Sequence, residues 1–176
     1  MDEYFMRMAL RLARRGVGRT NPNPMVGAVI VKDGRVIGQG YHECCGEAHA
    51  EVNAFDSAIE PVIGATMYVT LEPCSHFGKN PPCADRIIKE GIRRVVVAAL
   101  DPNPLVAGKG IKKLEAAGIE VSVGLLEKES CKLNEIFMNY IVDKIPYVVM
   151  KWGMSLDGKV ATVAGKSQWI TCMESR

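Results

Sequence analysis

The sequence predicts an α/β domain of three layers, α/β/α, in which a mixed sheet carries helices on both faces. Three observations predict it. Apolar runs on either side of Asp33-Gly34 read as a β-hairpin, because Asp-Gly suits the left-handed turn that joins two twisted strands. Beyond the hairpin, β-type runs alternate with helical patterns, the order that builds partly parallel sheets. Arg94–Leu100 is an apolar run flanked by charge, as a strand buried on both faces requires.

Taken in order, Phe5, Met8, Ala9, Leu12 and Ala13 recur at helical spacing and predict an amphipathic helix over 2–15, ended by Gly16 and Gly18. Asn21–Pro24 (NPNP) is a stiff loop, since each proline also restricts the residue before it. Val26–Val31 and Arg35–Tyr41 are the hairpin strands, and residues 48–58 fit a helix. Thr66–Leu71 is β-rich and gives way to the irregular stretch Glu72–Pro82. A helix over 83–90 stops at Gly91, strand 94–100 follows, and Asp101–Pro104 (DPNP) makes a second turn. Helix 106–117, strand Ile119–Val123 and helix 126–140 complete the alternation. Pro146 opens a new segment, with Tyr147–Trp152 as a further β-type run and Ser155–Lys159 as a turn. We therefore divide the chain into a first domain over 1–144 and the start of another over 145–176.

The bulk properties exclude several roles. A net charge of +2 with both signs interspersed lacks the basic stripe of a nucleic-acid binder. No apolar run approaches the roughly 18 residues needed to span a bilayer. Met1–Gly16 is broken by Arg7, Arg11, Arg14 and Arg15 and lacks the apolar segment of a secretory signal, so a cytoplasmic location is expected. In that setting six cysteines read as thiols or metal ligands and not as a disulfide framework.

The chemistry lies in His49-Ala50-Glu51, Pro73-Cys74 and Pro82-Cys83. One imidazole and two thiolates suit a single zinc ion and leave a fourth position open for water. His49 and Cys83 fall at predicted helix starts, where unpaired N–H groups and the helix dipole favour a thiolate. Glu51, two residues past His49, can lie beside the open position without ligating. It is the candidate catalytic residue, carrying protons from water to a ring nitrogen and the departing ammonia. A closed structural zinc site is the main alternative, with Cys44, Cys45 or His76 as fourth ligand, but it leaves Glu51 without a role. Cys131 reads as a core residue, Cys44 and Cys45 as free thiols, and Cys172 has no assigned role.

These residues resemble the cytidine-deaminase-like superfamily, although eight residues separate the two cysteines where two are usual. The string Pro73–Cys83 (PCSHFGKNPPC) is similar to the riboflavin-biosynthesis pyrimidine deaminases within it, as are NPNPMVG, Gly40-Tyr41-His42, Asp101–Pro104 and the tail. The resemblance implies a phosphoribosylamino pyrimidine as substrate and an aminouracil as product, with His49, Cys74 and Cys83 on zinc and Glu51 as proton shuttle. It implies substrate contacts from Asn23, His42, His76, Lys79, Asp101 and Asn103. Lys79 would offer a point charge to the phosphate, and Asp101 and Asn103 would act from the carboxyl end of a strand. The Gly108-Lys109-Gly110 stretch could cradle phosphate at a helix start, but a simple helix-entry loop is the preferred reading.

In that family the deaminase precedes a reductase that uses NADPH. The tail resembles the reductase's first strand and loop, with Gly153, Ser167 and Trp169 at nucleotide or substrate positions. Deamination without reduction is expected of a chain this long, and the apolar run 147–152 predicts self-association into a homo-oligomer. Two rivals stand beside this reading: a deaminase for cytosine, dCMP or tRNA adenosine, and a non-catalytic zinc-stabilised module.

Overall fold

A computed structural model of the chain describes residues 1–76, 81–103, 106–170 and 172–175. The chain divides into two compact units, Met1–Ile145 and Pro146–Arg176. The first contains one five-stranded sheet in the order β2-β1-β3-β4-β5. Its strands are β1 (Gly27–Lys32), β2 (Arg35–Tyr41), β3 (Thr66–Leu71), β4 (Arg94–Ala99) and β5 (Glu120–Val123). β1 runs antiparallel to β2 and β3, whereas β3, β4 and β5 are parallel, so the sheet is mixed as expected.

The layering follows from strand alternation. Side chains of successive residues point to opposite faces, so one strand feeds two cores. Ala28, Ile30, Met67, Val69, Val95 and Val97 pack with residues of α2 (Ala50–Asp56), α3 (Cys83–Lys89) and α4 (Lys109–Ala116). Val29, Val31, Tyr68, Val96 and Ala98 pack on the other face with α1 (Asp2–Ala13) and with Leu133 of α5 (Glu127–Leu133). Val95, Val96 and Val97 are at most 1% exposed, which is why β4 reads as unbroken apolar sequence. Each such side chain contributes about 1.5–3 kcal/mol relative to leaving it in water.

α2 lies unusually close to β2. A β carbon at Gly40 would come within 2.4 Å of Ala54 N, and one at Gly38 within 2.4 Å of Ala54 O. These two glycines let the helix settle on the strand and so fix where its first turn, with His49 and Glu51, meets the sheet end.

The structure corrects several expected boundaries. The helix expected over 106–117 begins only at Lys109, because Gly108 is left-handed at φ 75°. The helix expected over 126–140 is two, α5 and α6 (Glu135–Asp143), separated at Asn134. Strand β4 stops at Ala99, leaving Leu100 41% exposed. Tyr147–Trp152, expected as a strand, pairs with nothing. β-type composition does not make a strand without a partner, and among the described residues of 146–176 there is no ladder. No helix among the described residues is long and apolar enough to cross a membrane.

Candidate active site

Three elements deliver three donor atoms to one point. His49 is the N-cap residue of α2 in extended conformation, Cys74 lies just past the end of β3, and Cys83 opens α3 behind Pro82. His49 Nδ1 is 3.3 Å from Cys83 Sγ and 3.6 Å from Cys74 Sγ. All three donor atoms lie within 4.8 Å of one another. Across a tetrahedral zinc ion, bonds of about 2.0–2.1 Å to nitrogen and 2.3 Å to sulfur put N and S about 3.6 Å apart. The triplet therefore fits zinc in both donor type and spacing. Among the described residues no fourth His, Cys, Asp or Glu joins the group, and Cys44, Cys45 and His76 stand outside it.

Within the triplet the negative charge concentrates on Cys74 Sγ. The Cys83 thiol, with the His49 ring and the Cys83 backbone N–H (3.3 Å), directs hydrogen bonds onto Cys74 Sγ, which brings its pKa down to about 4. Cys83, donating to Cys74 from a buried position, is pushed up. Hydrogen bonding to Cys74 raises His49. Glu51 is 4% exposed, and its burial, with the negative Cys74 beside it, pushes the carboxyl up to about 7.

A cavity of about 290 Å³ opens on this group. His49, Glu51 and Cys74 line it, together with Asn23, His42, His76, Asp101 and Asn103. The structure thus brings five of the six expected substrate contacts to the cavity, and the sixth, Lys79, lies outside the described residues. His42 is only 3% exposed and both of its ring nitrogens have partners. Nδ1 lies 3.0 Å from the Ala48 carbonyl, which can only accept, so Nδ1 carries the hydrogen. Nε2, bare in the neutral ring, then accepts from Asn23 Nδ2 at 3.1 Å. Asp101 Oδ1 accepts from the Asn103 N–H at 2.8 Å, an Asx turn, and burial raises its pKa.

The sequence reading missed several wall residues. Phe137 and Ile141 of α6 form part of an apolar side of the cavity, and Glu72 and Val106 also line it. The i, i+4 spacing of Phe137 and Ile141 is a local signal for a shared face. Glu72 and Asn134 gave no comparable signal, because their partners are remote in sequence. The Gly108-Lys109-Gly110 stretch is no phosphate cradle: the N–H groups of Gly108 and Gly110 bond to the Glu72 carboxylate at 2.9 and 2.8 Å. In the second unit, Ser167 and Trp169 line a separate cavity of about 350 Å³ with Asp157 and Lys159. Gly153 is exposed and is not among the described residues that line it.

Comparison with known proteins agrees with this geometry. The family model of the cytidine and deoxycytidylate deaminase zinc-binding region matches residues 1–99. That of the RibD C-terminal domain matches residues 146–176. The riboflavin biosynthesis protein RibD of Aquifex aeolicus is 57% identical over 100% of this chain, which covers 49% of that protein. A diaminohydroxyphosphoribosylaminopyrimidine deaminase/5-amino-6-(5-phosphoribosylamino)uracil reductase from Thermotoga maritima superposes with a TM-score of 0.92 at 51% identity, over 97% of this chain and 50% of that one. The Aspergillus oryzae Rib2 deaminase, solved in complex with DARIPP, has a TM-score of 0.63 at 28% identity, over 80% of this chain and 93% of that one. The chain spans about half the length of the curated relatives it matches. All three donors of the triplet, and Glu51 between them in sequence, lie inside the span shared with the first family model, so the chain belongs to the cytidine and deoxycytidylate deaminase zinc-binding family.

Proposed function

We propose that this chain is a zinc-dependent aminohydrolase that converts diaminohydroxyphosphoribosylaminopyrimidine to 5-amino-6-(5-phosphoribosylamino)uracil with release of ammonia, a step of riboflavin biosynthesis. The observation that carries the reading is a three-donor group with no fourth donor among the described residues, and a buried Glu51 outside that group on the same cavity. His49, Cys74 and Cys83 would hold the zinc. Bound there, the ion supplies the Lewis acidity that makes water a nucleophile near neutral pH.

The rest falls to the chain's own residues. Glu51, buried on the cavity and outside the three-donor group, takes a proton from the attacking water. It gives that proton to the ring nitrogen as the hydroxide left from the water bonds to the adjacent carbon. Glu51 then moves the new hydroxyl's proton to the amino nitrogen, and the C–N bond breaks to release ammonia as the C=O forms. Because His42 occupies Asn23 Nδ2, Asn23 Oδ1 is the atom left to accept an N–H of the substrate. The Phe137 and Ile141 side gives the ring an apolar surface and limits water. Asp101 and Asn103 supply polar contacts from the end of β4, and Lys79 is assigned to the phosphate.

The choice of substrate rests on similarity along the whole chain to riboflavin biosynthesis proteins. Residues 146–176 are assigned to the start of the reductase of that family, where Gly153, Ser167 and Trp169 would face NADPH or substrate. Val148, Val149 and Met150 are 72–82% exposed, and this apolar run supports self-association, which light scattering on the purified chain tests. The activity is tested by incubating the metal-quantified protein with the phosphoribosylamino pyrimidine, cytidine and dCMP. Ammonia from the first alone is expected. Release from cytidine or dCMP instead would reassign the substrate, and no release with zinc bound would reduce the chain to a zinc-stabilised module.

A further inference from the structure

Glu72 is a buried carboxylate that the proposed chemistry does not use. It directly follows β3, two residues before Cys74, and is 5% exposed. Its Oε2 accepts from the N–H of Gly108 at 2.9 Å and of Asp101 at 3.3 Å. Its Oε1 accepts from the N–H of Gly110 at 2.8 Å and of Ile111 at 3.4 Å. Gly108 is the N-cap residue of α4 and has no side chain to satisfy the first N–H groups of the helix. Glu72 satisfies them from outside, and its negative charge suits the helix dipole.

The approach is tight. A β carbon at Gly110 would sit 2.1 Å from the Pro73 carbonyl oxygen, so glycine is needed for α4 to start here. β3 and β4 are parallel, with Leu71 opposite Ala99, and Glu72 N donates to Ala99 O at 2.9 Å. One side chain therefore joins the strand end leading to Cys74, Asp101 just past the end of β4, and the start of α4. Asp101 passes the restraint on by holding the Asn103 N–H.

We infer that Glu72 is a positioning residue, whose carboxylate sets the Asp101–Asn103 wall of the cavity relative to the metal-binding triplet and thereby governs substrate binding instead of proton transfer. The inference rests on the proposed reading of Asp101 and Asn103 as substrate contacts. Four N–H donors converge on two oxygens. A glutamine has one acceptor oxygen, and its NH₂ would face donors, so Glu72→Gln breaks one pair of bonds while keeping the shape.

The test uses the zinc-loaded full chain and compares Glu72→Gln, Asp101→Ala, which removes the acceptor of the Asn103 N–H, and the double variant. KM for the phosphoribosylamino pyrimidine should rise roughly tenfold in Glu72→Gln, with kcat little changed and one zinc per chain retained. The double variant should be no worse than the worse single one, because both changes disrupt the same restraint. An unchanged KM with only reduced thermal stability would overturn the inference, as would fully additive losses. Amide hydrogen exchange on the unmodified protein decides the matter even if the variants do not fold. The Asp101 and Gly108 amides should be protected like those of the sheet, and exchange at exposed-loop rates would overturn the clamp. An unmodified chain that releases no ammonia would reject the deaminase reading, and exchange would still decide the clamp.

Discussion

Asn134 grips Met25 by both sides of its backbone: Oδ1 accepts from Met25 N at 2.8 Å, and Nδ2 donates to Met25 O at 2.9 Å. Met25 follows Asn23-Pro24 directly, so the grip restrains the loop that carries Asn23 to the cavity. Asn134 also breaks the helical run, and the helix that restarts beyond it places Phe137 and Ile141 on the same cavity. One buried amide thus joins a polar wall residue to the apolar side. Asn134→Ala should lower stability by about 1–3 kcal/mol, since it leaves two part-buried backbone groups without partners. Asn134→Asp keeps an acceptor for Met25 N–H and should fall between the two in thermal unfolding. Equal losses for both variants would argue against the acceptor half of the grip, and an Asn134→Asp chain as stable as the unmodified one would argue against the donor half.

A second prediction concerns acid. Asp2, at the start of α1, accepts from Arg94 at 2.8 Å and from the Tyr68 hydroxyl at 2.7 Å. The Arg94 guanidinium, and then Tyr68, hold its carboxyl below the ordinary 3.8. A group whose pKa is depressed on folding stabilises the fold fully above its unfolded value, and that stability is lost as pH falls through the folded value. Asp2→Asn should therefore be less stable than the unmodified chain at neutral pH, and in denaturant titrations the two should converge as pH falls below the ordinary carboxylate range. A constant gap across that range would mean that Asp2 acts through packing and not through charge.

Where the sequence was legible, the cause was local. Asp33 and Gly34 take φ of 49° and 75°, the left-handed pair that Asp-Gly signals without help from the rest of the chain. The buried β4 and the three zinc-type donors were readable because residue type alone carries the information. What escaped depended on distant partners. Nothing near Asn134 tells that its side chain will leave the helix for Met25, 109 residues away. Glu72 looks like an ordinary loop glutamate until Asp101, Gly108, Gly110 and Ile111 are folded around it. Tyr147–Trp152 shows the opposite failure: β-type residues were present, but strand pairing was not.

Lys79 lies between Cys74 and Cys83 in sequence and outside the described residues, so its prediction stands on chemistry alone. A lysine point charge should matter only when a phosphate is there to meet it. Lys79→Ala should raise KM for the phosphorylated pyrimidine by roughly tenfold or more, while barely affecting the dephosphorylated form. Equal effects on both would remove Lys79 from the phosphate.

The sharpest prediction concerns Glu51, because it separates ligand from proton carrier. Its carboxylate is buried in the first turn of α2, two residues past His49, and lies outside the three-donor group. Glu51→Gln keeps the volume and the polar contacts but can neither take nor return a proton. Turnover should fall by about 10²–10⁴ or more, the usual weight of a general acid–base group, while metal analysis still finds one zinc per chain. Removing zinc with a chelator should abolish ammonia release in the unmodified chain, and adding zinc back should restore it. The Glu51→Gln chain should take up the same zinc and stay inactive. Should that substitution release the metal, Glu51 would be a ligand and the fourth side of the site would be closed, leaving no room for the water that the reaction needs.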